Sequence, residues 1–171
     1  MNITGITLNY NLLKIKTMAT KLKTGDKAPS FSVKDHGGQE VNLENLKGKK
    51  VILYFYPKDN TPGCTAEACS LRDGFDKLLD AGFVVAGVSP DSEKSHKNFA
   101  EKHNLPFHLI ADTGKELLKA YGAWGEKKMY GKSYEGVIRT TFVISEEGII
   151  EHVIPKVDTK NHAEQILALY N

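Results

Sequence analysis

Two runs of apolar, β-branched and aromatic residues, 50–56 (KVILYFY) and 83–89 (FVVAGVS), show no alternation of polar and apolar positions. Such runs suit strands buried on both faces. Between them the spacing turns helical: Cys64, Ala68, Leu71, Phe75 and Leu78 recur every three or four positions as one apolar stripe. Thr61 stands at the capping position, Pro62 suits the first helical position, and Gly82 stops a helix that runs to about Asp80. Ahead of these elements, short extended pieces at 31–33 and 41–43 flank the turn Asp35-His36-Gly37-Gly38. Behind them, Asp91 or Ser92 caps a helix reaching about His103, an extended piece covers 108–110, and a helix runs from Thr113 to about Tyr121. A Gly- and Lys-rich loop follows. The chain then forms a hairpin, 140–145 and 149–154, around Glu146-Glu147-Gly148, and a terminal helix from Asp158 or Thr159 through Leu169.

Strand–helix–strand–helix followed by a hairpin and a helix is the order of an α/β, thioredoxin-like fold, a central mixed sheet flanked by helices. At 171 residues and 40% hydrophobic content, one domain with a sizeable core is expected over residues 21–171. Residues 1–20 carry lysine but no acidic residue, and Asn9, Asn11 and Lys14 interrupt any signal-like apolar stretch. They read as a disordered tail or an overlong gene start, with Met18 as an alternative initiator. Net charge is +2 with both signs interleaved, so no nucleic-acid partner is expected, and no apolar run approaches membrane-spanning length, so no membrane partner is expected either. Only two of 23 basic residues are arginine, Arg72 and Arg139, and each invites a reason. For Arg72 an ordinary i,i+4 pair with Asp76 suffices. The six histidines show no metal-ligand spacing with the cysteines, so no metal and no cofactor are expected.

The two cysteines, Cys64 and Cys69, are the informative residues. So few cysteines point to a reducing, cytoplasmic setting and to thiol chemistry. Cys64 falls in the first turn of a helix, where free N–H groups and the positive dipole end favour a thiolate. Cys69 lies about 140° around that helix, and the two Cα atoms would be about 8.6 Å apart, beyond the roughly 7 Å a disulfide spans. The pair can bond only if the first turns unwind.

Pro57-x-x-x-Thr61-x-x-Cys64 resembles the active-site pattern of peroxiredoxins. The stretch from Tyr54 to Leu71 is similar to the bacterioferritin-comigratory-protein and peroxiredoxin Q branch, whose second cysteine lies five residues on in the same helix. The likeness extends to Gly25-Asp26-x-Ala28-Pro29-x-Phe31, Trp124-Gly125-Glu126-Lys127, Tyr130-Gly131-Lys132 and Gly136-x-x-Arg139-x-Thr141-Phe142, and spans essentially residues 21–171. It implies a thiol peroxidase for hydrogen peroxide and organic hydroperoxides. Cys64 would become a sulfenic acid, Cys69 would resolve it as an intramolecular disulfide, and thioredoxin would recycle the enzyme. A monomer is expected, since a disulfide within one helix needs no second subunit.

On that reading Thr61 orients substrate, Pro57 directs the loop and shields the sulfur, and Arg139 stabilises both thiolate and developing oxyanion. Such help is needed. Lowering a cysteine pKa from about 8.5 to about 6 raises the thiolate fraction only about thirtyfold at pH 7, far short of enzymatic accelerations. Two other readings stand beside this one: a dithiol–disulfide oxidoreductase, which would ordinarily carry C-x-x-C rather than four intervening residues, and a holdase or redox-sensing module using the same helix as a switch. Peroxide consumption in a thioredoxin-coupled NADPH assay separates the first reading from both.

Overall fold

The computed structural model describes residues 21–171, and the expectations for 1–20 lie outside the described residues. Five strands form the central sheet: β3 (Lys50–Phe55), β4 (Phe83–Ser89), β5 (His108–Ala111), β8 (Thr140–Ile144) and β9 (Ile150–Ile154). Their order is β5-β4-β3-β8-β9. The three on one side run parallel, whereas β8 and β9 are antiparallel additions. Parallel neighbours require crossovers, and helices supply them. Helix α1 (Pro62–Asp73) and helix α2 (Phe75–Asp80) connect β3 to β4, and α3 (Glu93–His103) connects β4 to β5. Helix α4 (Glu116–Ala120) follows β5, and α5 (His162–Leu167) closes the chain with a 3-10 turn, Ala168–Tyr170.

Both faces of β3 are buried, as its unbroken apolar run requires. Val51, Leu53 and Phe55 point into one core cluster with Tyr121 and Phe142. Ile52, Tyr54 and Tyr56 point into the other, with Cys64, Ala68, Leu71 and Phe99. The chemistry-bearing helix therefore sits on the second face.

Four expectations need correction. The helix expected over 62–80 is divided at one residue, Gly74, whose N–H and carbonyl still bond to Ser70 at 3.0 Å and Leu78 at 3.1 Å; a Cβ there would stand 2.5 Å from that of Ala163 in α5. The Gly- and Lys-rich loop is a hairpin of β6 (Trp124–Met129) and β7 (Lys132–Val137), turned at Tyr130 and Gly131 with φ of 51° and 74°. The first extended pieces are β1 (Ser32–Lys34) and β2 (Glu40–Asn42), an antiparallel pair lying about one residue from the expected bounds. The helices expected from Thr113 and from Asp158 or Thr159 begin later, at Glu116 and His162. Of the two capping residues expected for α3, Ser92 is the one that caps it, its hydroxyl accepting from Ser95 N–H at 3.1 Å.

Candidate active site

β3 delivers the chain to the site. Tyr56 N–H donates to the Val88 carbonyl at 3.0 Å, and half-buried Pro57 then turns the backbone into a short loop ending at Thr61. Asp59 anchors that loop from below. Its carboxylate accepts from Tyr56 Oη at 2.7 Å, Ser95 Oγ at 2.8 Å and His96 Nδ1 at 2.8 Å, while its N–H donates to Asp91 Oδ2 at 2.9 Å. Burial opposes the Asp59 charge, but these donors outweigh it and hold the carboxyl below its usual range. Asp59, Asp91 and His96 place three potential ligand atoms within 4.8 Å of one another. Each is already hydrogen-bonded within the protein: Asp91 Oδ2 also accepts from Ser89 Oγ at 2.6 Å, and His96 Nε2 meets the Ile110 carbonyl at 3.1 Å. The cluster ties the loop to α3.

Thr61 has extended backbone at the cap position, but its hydroxyl does not cap the helix. It donates instead to the Lys58 carbonyl at 2.7 Å. The helical ladder starts with Thr65 N–H on the Thr61 carbonyl at 2.9 Å, so the N–H groups of Gly63 and Cys64 precede it and face the loop side.

Cys64 is 1% exposed at this helix start, and its thiol is free. Arg139, the residue before β8, reaches across the sheet to it. Nη2 donates to Cys64 Sγ at 3.2 Å, and Nη1 donates to Glu67 Oε1 at 2.5 Å. A Cβ at Gly63 would lie 3.3 Å from Nη2, so glycine leaves the guanidinium its approach. Burial works against the Arg139 charge, but Glu67 and Cys64 overcome it and hold its pKa above the ordinary value.

Glu67 is a buried partner of Arg139 that the sequence reading missed. It is fully buried, one turn from Cys64, on the same stripe as Ala68 and Leu71. Burial pushes its carboxyl up to about 7, even against the pull of Arg139. Its Oε2 has no hydrogen-bond partner among the described residues and faces His162 Nε2 at 3.6 Å. His162 is equally buried. Its Nδ1 meets Gln165 Oε1 at 2.9 Å, and its Nε2 meets Thr141 Oγ1 at 2.8 Å. Burial lowers the imidazole pKa to about 4, Arg139 adding to the effect against Gln165. The buried Tyr54 hydroxyl beside this group also lacks a partner among the described residues, and burial, then Glu67, Asp59 and Cys64, keep it neutral. A carboxylic acid on a stripe otherwise free of charged side chains was the available signal.

The structure thus brings Cys64, Arg139 and the loop of Pro57 and Thr61 to one place. Cys69 is elsewhere, half-buried on the flank of α1, with a free thiol that touches His103. Arg72 does not pair with Asp76. It pairs with its neighbour Asp73 at 2.9 Å and donates from Nη1 to the His103 carbonyl at 2.8 Å, because α3 ends within reach of that turn.

Residues 24–153 match the model of the AhpC/TSA family. The chain is 46% identical over 146 residues to peroxiredoxin Bcp of Escherichia coli K12, covering 85% of this chain and 94% of that protein. It is 45% identical over 146 residues to peroxiredoxin Bcp of Bacillus subtilis 168, covering 85% and 93%. Among solved structures, the bacterioferritin comigratory protein of Xanthomonas campestris, described for its alkyl peroxide reduction activity, superposes with a TM-score of 0.76 at 37% identity, covering 81% of this chain and 88% of that one.

Proposed function

Because the chain belongs to the AhpC/TSA family, as a peroxiredoxin of the Bcp and peroxiredoxin Q group, we propose that it reduces hydrogen peroxide and organic hydroperoxides through Cys64, with Cys69 as the resolving residue and thioredoxin or a similar dithiol protein as reductant. One observation carries the assignment of the nucleophile: the Arg139 guanidinium lies 3.2 Å from the sulfur of a buried cysteine at a helix start. That contact puts a positive charge beside the reacting atom of a buried residue.

In the first step the Cys64 thiolate attacks the distal peroxide oxygen. The S–O bond forms as the O–O bond breaks, sulfur is oxidised to the sulfenic acid, and the leaving alkoxide or hydroxide takes a proton from solvent. Negative charge moves from sulfur to the leaving oxygen, so donors already aimed at both ends stabilise the transition state more than the ground state. Arg139 Nη2 and the N–H groups of Gly63 and Cys64 are those donors. The Thr61 hydroxyl gives its proton to Lys58 and so offers its lone pairs to the proton of the incoming peroxide. Pro57 and the Asp59 anchor keep the loop in place during the reaction. Cys69 then attacks the sulfenic sulfur, water leaves, and the disulfide is exposed for reduction. Both cysteines lie in one helix, so the cycle is complete in a monomer.

The test is Cys64→Ser, since a serine hydroxyl is scarcely ionised at neutral pH and forms no sulfenic acid. Peroxide-dependent NADPH oxidation with thioredoxin and its reductase should vanish. Appreciable turnover in that variant would remove Cys64 from the mechanism.

A further inference from the structure

Cys69 has a specific neighbour. Its Sγ lies 3.9 Å from Nδ1 of His103, the last residue of α3. One turn further along α1, Arg72 Nη1 donates to the carbonyl of the same histidine at 2.8 Å, and Asp73 holds Arg72 from the other side. The His103 ring stands edge-on to Phe99, with centroids 5.2 Å apart at 71°, which fixes its plane. The turn of α1 that carries Cys69 is therefore stapled to the end of α3, with an imidazole nitrogen against the thiol.

We propose that His103 is the general base of the resolving step, accepting the Cys69 proton as that sulfur attacks the Cys64 sulfenic acid. The proposal rests on the reading of Cys69 as the resolving residue. In the step, the Cys69 S–H bond breaks and its proton passes to Nδ1. The S–S bond forms as the S–O bond of the sulfenic acid breaks, and the departing hydroxide leaves as water with the proton that His103 returns. Cys69 sulfur is oxidised, Cys64 sulfur is reduced, and no outside oxidant or reductant is required. Nucleophile and base within contact distance is the recurring arrangement for activating a thiol.

The surroundings suit a base. The titratable and charged groups facing the ring are Cys69 and Arg72 from α1 and Lys102 from its own helix. Burial, then Lys102 and Arg72, hold the imidazole below its ordinary value, so it is neutral and proton-accepting at pH 7. The staple also decides which cysteine travels. With the Arg72 turn held to α3, the unwinding is confined to the turns before it, and Cys64 moves to a Cys69 that stays beside its base.

The experiment separates the two chemical steps. Reduced protein is mixed with one equivalent of peroxide and acid-quenched, and mass spectrometry follows the sulfenic acid and the Cys64–Cys69 disulfide in wild type, His103→Gln and His103→Ala. Sulfenic acid should form at the wild-type rate in both variants, which also certifies their fold. Disulfide formation should slow at least about tenfold at pH 7, its pH profile should lose the imidazole inflection, and added imidazole should restore part of the rate in His103→Ala. Unchanged disulfide formation, or equal slowing of both steps without imidazole rescue, overturns the assignment of His103. Absence of any Cys64–Cys69 disulfide in the wild type overturns the reading of Cys69 itself, and with it this proposal.

Discussion

Glu67 and His162 form a buried pair whose titrations oppose each other, and substitution of either should expose the other. Glu67 is an acid raised from 4.5 to about 7 by burial. Between those values the folded protein holds a proton that the unfolded chain has released, so its contribution to stability is full below pH 4.5 and is lost as pH rises to 7. His162 is a base lowered from 6.5 to about 4. There the unfolded chain holds the extra proton, so stability is full above pH 6.5 and is lost as pH falls to 4. Each displacement corresponds to about 3 kcal/mol across its window, or up to about 1.4 kcal/mol per pH unit. The signs are opposite and the windows overlap. Urea unfolding of the reduced protein, at intervals from pH 5 to 6.5, supplies the measurement. Glu67→Gln should gain stability relative to wild type as pH rises, and His162→Gln should gain relative to wild type as pH falls. His103, held below its ordinary value by burial and by Lys102 and Arg72, is common to all three proteins, so it drops out of the differences. Asp35 and Asp59 are held low and titrate below the window. Difference curves that stay flat for both variants would refute the claim that this pair is kept neutral by burial.

Cys69→Ser should still reduce one equivalent of peroxide but leave Cys64 as a sulfenic acid open to overoxidation, visible as added oxygen masses on the Cys64 peptide; full thioredoxin-dependent turnover would show that Cys69 is not the resolving residue. Arg139→Lys keeps the charge but loses the fork that spans Cys64 and Glu67, so the rate constant with peroxide should fall by about tenfold or more while the pH midpoint moves little. A midpoint shift large enough to account for the whole loss would leave the guanidinium no separate role. Oxidised protein should exchange amide hydrogens faster than reduced protein across 62–68, the turns before the one held to α3, with 50–56 and 83–89 nearly unchanged; identical exchange in the two forms would exclude a disulfide within this helix.

The parts of the fold legible in sequence were those whose pattern is local. Strands β3 and β4 announced themselves by unbroken apolar runs, and α1 by its stripe, because burial on two faces or one leaves a periodic mark. The β6–β7 hairpin left none. Its positions 126–135 are largely exposed on both faces, so no apolar period exists, and only the Tyr130-Gly131 turn hinted at it. In the site, Pro57, Thr61 and Cys64 are neighbours in sequence and could be read as one motif. Arg139 stood out by rarity. Glu67, His162 and the contact of Cys69 with His103 depend on packing between residues 34 to 95 positions apart, which composition and spacing do not encode. The same applies to Arg72, where a local i,i+4 partner was the simplest expectation and a helix end 31 residues away supplied the real one.

The packing of Gly74 against Ala163 sets the size of the unit that can melt. A helix from 62 to 80 with no such anchor would lose its hydrogen bonds cooperatively, and opening its start would loosen residues that pack against β4. Here Gly74 is pressed against Ala163, while its backbone bonds to Ser70 and Leu78 stay helical, so this packed point pins the helix. Fraying that starts at Pro62 therefore meets a boundary within three turns, while Leu78 stays in the core. A small foldon of this kind has few bonds to lose, so it opens with a free energy well below that of global unfolding. On the proposed cycle, repeated oxidation and reduction would expose one helix without putting the rest of the molecule at risk of aggregation.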